Sequence, residues 1–70
     1  MILVFKTTVN SPAALKRIKP QLDELLGGHD FWNIDLQDRD YVLRIITSQE
    51  IQQRVQSVLN AAGFRCEELL

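Results

Sequence analysis

Few residues in this chain could do chemistry, and the fold its pattern implies keeps them apart. There is one cysteine, Cys66, and one histidine, His29, among 70 residues. A soft-metal centre or an activated thiol needs sulfur and imidazole within a few ångströms of each other. Asp35, Asp38 and Asp40 form a carboxylate cluster in sequence. Their spacing lacks the glycine and the distal glutamate of a calcium loop, and aspartate is a common turn residue. The segment Val9-Asn10-Ser11-Pro12-Ala13-Ala14 offers only a neutral hydroxyl and methyl groups, which are poor ligands for a soft metal. No glycine-rich phosphate loop, acid–base pair or Ser-His-Asp set is present. These residues predict a protein that is not an enzyme and carries no cofactor.

The elements that would position these groups follow from periodicity. Ile2 to Val9 is rich in β-branched and aromatic residues, with Leu3, Phe5 and Val9 on one face and Ile2, Val4 and Lys6 on the other. Ser11-Pro12 starts a helix: the hydroxyl caps free amides, and proline at the first position sacrifices no hydrogen bond. Ala14, Leu15, Ile18, Leu22, Leu25 and Leu26 then recur at helical spacing until Gly27-Gly28. Pro20 falls opposite the apolar stripe, which predicts one helix bent around the core.

Phe31 to Gln37 alternates as a strand, and Gln37–Asp40 closes a hairpin into a strand from Tyr41 to Ile46. Thr47-Ser48-Gln49-Glu50 has the form of a capping box for a helix carrying Ile51, Val55, Val58, Leu59 and Ala62. Gly63 ends that helix, and Phe64 to Leu69 is a last strand. The order predicts an α+β fold, a ferredoxin-like split βαβ sandwich in one domain spanning residues 1–70. Its antiparallel sheet would have strand order 4-1-3-2, with both helices on one face.

That topology gathers the loop Thr8–Ala13, the hairpin Gln37–Asp40 and the turn Ala62–Phe64 at one end. His29 falls at the opposite end on an edge strand, and Cys66 on the other edge, so they cannot pair within one molecule. Cys66 shares a face with Phe64 and reads as a small buried hydrophobe beneath the second helix. The candidate site is instead the uncovered sheet face: Ile2, Val4 and Lys6 on one central strand, Val42, Arg44 and Ile46 on the other. Phe31, Asn33, Asp35, Arg65, Glu67 and Leu69 add to it from the edges. Mixed apolar and charged groups suit a partner-binding face, for another protein or a second copy related by a two-fold axis.

Composition narrows the partners. A net charge of −1 gives no field to attract nucleic acid, and Lys16, Arg17 and Lys19 read as a solvated face of the first helix. The apolar start Met-Ile-Leu-Val-Phe is too short for a signal peptide or a membrane span, so no membrane insertion is expected. A single cysteine fits a reducing compartment, which makes the cytoplasm the expected location.

Element order, loop position and spacing together resemble the heavy-metal-associated domain of copper chaperones and metal-transporting ATPases. Val9 matches the family's loop methionine. Ser11 and Ala14 match its two metal-binding cysteines. Trp32-Asn33-Ile34-Asp35-Leu36 is similar to its second strand, and Ala62-Gly63-Phe64 to its Gly-aromatic turn. The resemblance implies a domain that has lost its metal site and serves as an interaction module. Two alternatives stay open: a soft-metal binder using Cys66 across a dimer, and a small-molecule regulatory domain of the ACT type. Val9-Asn10-Ser11-Pro12 followed by Leu15 resembles the ACT loop, with Ala13 in the place of its glycine.

Overall fold

The computed structural model describes residues 1–27 and 31–69. In chain order it has β1 (Ile2–Thr7), α1 (Pro12–Leu26), β2 (Phe31–Ile34), β3 (Leu43–Ile46), α2 (Gln52–Ala61) and β4 (Cys66–Glu68). The strands form one antiparallel sheet in the order β2-β3-β1-β4, the expected order read from the opposite edge.

Alternation along the central strands decides what the core contains. Leu3 and Phe5 of β1, with Leu43 and Ile45 of β3, point to one side. There they join Ala14, Ile18, Leu22 and Leu26 of α1 and Val55 and Leu59 of α2 in a single buried cluster. Removing that apolar area from water, at roughly 25 cal/mol per Å², is what holds two short helices against a four-stranded sheet. The opposite side carries Ile2, Lys6, Arg44 and Ile46, all exposed.

α1 begins as its sequence dictates. Ser11 Oγ accepts from the Ala14 amide at 3.1 Å, and Pro12 occupies the first turn. The helix runs unbroken through the exposed Pro20 and ends where Gly27 turns left-handed at φ 71°. That conformation costs glycine little, and it lets the Gly27 amide reach the Asp23 carbonyl at 3.0 Å.

α2 begins later than its local sequence predicts. Ile51 is its N-cap, with no side-chain cap, and the capping box at Thr47 does not form. The backbone of Thr47 is committed to β1 instead: its amide donates to the Met1 carbonyl, and its own carbonyl accepts from the Met1 ammonium at 2.7 Å. Thr47 Oγ1 accepts from Gln49 N at 3.1 Å and closes a tight turn. Tertiary pairing thus overrides a local capping signal.

The strands are also shorter than alternation alone suggests, β2 stopping at Ile34, β3 starting at Leu43 and β4 spanning three residues. Between β2 and β3, Asp35 Oδ1 accepts from the Gln37 amide and Asp38 Oδ1 from the Asp40 amide. Two successive aspartate turns therefore consume the residues that would have lengthened the hairpin.

Candidate functional site

The open sheet face is built in rows, each set by the strand register. Ile46 of β3 lies opposite Ile2 of β1 on one side and Phe31 of β2 on the other. This places three large apolar side chains abreast, exposed by 65% at Ile2, 54% at Ile46 and 73% at Phe31. Beside them lies a shallow depression of about 240 Å³, lined also by Asn33, Arg44 and the edge of Trp32.

The next row runs Asn33, Arg44, Val4, with Arg44 opposite both neighbours. The Leu69 amide donates to the Val4 carbonyl at 2.7 Å, which brings that partly exposed leucine onto the same row. Arg44 is exposed and makes no ion pair among the described residues. A third row is charged: Lys6 faces Glu67 in the register and sends its ammonium to within 3.7 Å of Asp40 Oδ1.

Five of the six residues expected on the centre of this face lie there, with Val4 half-buried. Val42 is the correction. It precedes β3 and is only 7% exposed, although it stands outside the helix-side core. Continuing the β1–β3 register by one residue sets Val42 opposite Lys6. The Lys6–Asp40 pair draws the lysine stem toward this stretch, so Val42 offers little surface to a partner. The backbone also turns sharply just before it: Tyr41 adopts a left-handed φ of 46°, costly for a residue with a Cβ. Its carbonyl accepts from Thr7 Oγ1 at 2.7 Å, which pins the turn to β1.

The loop end is closed by structural bonds. Thr7 Oγ1 also accepts from the Val9 amide, while Thr8 and Arg65 exchange bonds through the Arg65 carbonyl and Thr8 Oγ1. The Ser11 hydroxyl is occupied as a helix cap, and the Ala14 methyl is packed in the core. The aspartates of the hairpin serve turns and one ion pair, and no group of metal-ligating side chains forms among the described residues. Cys66 is half-buried against the core, and burial pushes its thiol up to about 12. A thiol so far above its ordinary value of 9.0 is protonated at neutral pH and is a weak nucleophile. His29 lies outside the described residues.

Two side-chain clusters escaped the sequence reading. Arg17 stands over the Phe64 ring at 5.3 Å and donates to the Ala62 carbonyl at 3.0 Å, tying α1 to the turn after α2. On the other flank, Asp23 accepts from Lys19 Nζ at 2.7 Å and from Trp32 Nε1 at 2.9 Å. Those bonds, Lys19 first and Trp32 second, hold the Asp23 carboxyl below its usual range. The four-residue spacing of Lys19 and Asp23 is visible in sequence. The bonds to Trp32 and to Phe64 need the fold.

Comparison with protein-family models, with curated proteins and with solved structures finds no match for this chain. Among the described residues no helix is long and apolar enough to cross a membrane.

Proposed function

We propose that this chain is a non-enzymatic protein-interaction module, cytoplasmic, on the ferredoxin-like split βαβ plan. It is a relative of the heavy-metal-associated domain in which the metal loop has become a helix cap. One observation carries the reading: Ile2, Ile46 and Phe31 stand abreast and exposed beside Arg44, which makes no ion pair among the described residues. Contiguous exposed apolar side chains next to a free guanidinium form the core and the anchor of a docking surface. The ligand positions support the loss of metal binding, since Ser11 is engaged in capping and Ala14 is buried. Cys66 supports it too, being held protonated.

The partner that fits is another protein presenting apolar side chains around a carboxylate for Arg44. A second copy fits this face less well. The two-fold that stacks the apolar row on itself, parallel to the strands, runs along β3 through Ile46 and so sets Arg44 against Arg44 of the partner subunit. Like charges facing each other across an interface oppose association.

A photo-crosslinking amino acid at Ile46, compared with one at the exposed Gln53 of α2, tests the reading in cells that make the protein. The expected result is a discrete heterologous adduct from position 46, absent from position 53 and lost with Arg44→Glu. No adduct at 46, or equal adducts at both positions, overturns the proposal. An adduct of twice the chain mass would assign the face to a second copy.

A further inference from the structure

β2 is the outermost strand of the sheet, and the direction of its hydrogen bonds can be worked out. The Asp35 amide donates to the Val42 carbonyl at 3.0 Å, which makes Asp35–Val42 a hydrogen-bonded pair of the antiparallel ladder. Bonded pairs alternate, so Asn33–Arg44 and Phe31–Ile46 are bonded pairs as well. Trp32 and Ile34 therefore turn their N–H and C=O groups away from β3, toward the open edge. The strand reads Phe-Trp-Asn-Ile, without a charge, a proline or a glycine to discourage pairing there.

We propose that two copies of this chain join edge to edge through β2, making one continuous eight-stranded sheet. A two-fold axis normal to the sheet at Asn33 pairs Trp32 with Ile34 of the partner subunit, and Ile34 with Trp32 of the partner subunit. The four outward backbone groups of each copy then find partners, giving four hydrogen bonds across the axis. Asn33 meets its own copy as a non-bonded pair on the open face. On the helix side the half-buried Trp32 and Ile34 of the two copies pack across the junction.

Charge on α1 agrees with the same axis. α1 joins β1 to β2, which run parallel because each is antiparallel to β3, so α1 must run opposite to β2. Asp23 is fixed at the level of Trp32 by its 2.9 Å bond, one strand residue from the axis, or about 3.3 Å. Lys19 lies one turn earlier, about 6 Å along the helix, and so about as far beyond the axis. The two-fold thus sets Lys19 opposite Asp23 of the partner subunit, and Asp23 opposite Lys19 of the partner subunit. Both side chains line the groove between α1 and β2. This pairing does not rest on the open-face reading and leaves that face free for a different protein.

Sedimentation equilibrium of the intact chain, with single cysteines placed in a Cys66→Ala background, tests the proposal. The chain should be a dimer at high concentration. Asn33→Cys should crosslink rapidly under mild oxidation, because non-bonded antiparallel pairs bring Cα atoms to about 4.5 Å. Ile46→Cys, on the open face, should not crosslink. Asn33→Lys should weaken the dimer about tenfold or more with an unchanged circular dichroism spectrum, since it faces itself across the axis. Chemical synthesis with an N-methyl group on the Ile34 amide should abolish the dimer while keeping every side chain. A monomer at all concentrations overturns the proposal, as does crosslinking at position 46 in preference to 33.

Discussion

β2 and β4 each leave one side of a strand unpaired, yet β2 is built from Phe-Trp-Asn-Ile and β4 from Cys-Glu-Glu. Charged side chains on an outer strand repel an incoming strand, whereas an uncharged, aromatic strand invites one. The inner sides differ as well. β4 contributes a small, half-buried thiol beneath α2, while β2 contributes an indole whose N–H is bound to a carboxylate of α1. One edge of this sheet is finished by its own sequence. The other is tied to α1 through Trp32 and, among the described residues, left open.

The largest effect expected from breaking that contrast comes from Trp32→Ala. It removes a half-buried aromatic body from the core margin and, among the described residues, the one bond that fixes Asp23 to the sheet. A fully buried aromatic costs about 3–5 kcal/mol on truncation, so at this partly exposed site about 2 kcal/mol is expected. Urea unfolding followed by circular dichroism measures it. A loss below about 0.5 kcal/mol, typical of ordinary surface changes, would mean that α1 does not depend on β2 for its position.

How much of the two edges was legible in sequence differs for physical reasons. Alternation placed Phe31, Asn33 and Glu67 on the open face and Trp32 and Cys66 inward, because the side-chain period of a strand is fixed by the backbone. The cap of α1 was legible because Ser11 and Pro12 act within a few residues. The start of α2 was not, because Thr47 has its backbone taken by Met1, distant in sequence. Val42 was assigned to the right side and the wrong exposure. Parity says which way a side chain points, and only the fold says that Lys6 lies across from it. The contiguity of Phe31, Ile46 and Ile2 likewise depends on register, which the hairpin turns set.

A smaller effect is expected at Cys66, and it appears at high pH. Burial raises the thiol from 9.0 to about 12, so the folded chain keeps its proton where the unfolded chain ionises. Unfolding then releases a proton, and raising the pH favours it. The contribution is fully present below about pH 9 and is lost progressively as the pH rises toward about 12. Cys66→Ala should therefore lose less stability than the wild type across that window, by chemical denaturation at several pH values. Parallel curves would show that the thiol is open to water in the folded chain.

The smallest effect on stability, and the sharpest on the contrast between edges, is expected from Glu67→Thr. Glu67 is exposed, opposite Lys6 in the register, and Lys6 already has Asp40 within 3.7 Å. Exposed ion pairs are worth about 0–1 kcal/mol, so the unfolding free energy should change by no more than about 0.5 kcal/mol, and threonine's preference for strands offsets part of that. What changes is the edge. With only Glu68 left to carry charge, β4 comes closer to the uncharged pattern of β2, and association should rise with concentration beyond a dimer. Sedimentation velocity of Glu67→Thr beside Glu67→Lys separates the causes, since lysine keeps a charge on the strand and threonine does not. If both variants associate to the same extent, the negative charge was countering the Lys6 and Arg65 side of the face rather than guarding the edge. If neither associates, the three-residue length of β4 is protection enough, and the difference between the two edges lies in β2 alone.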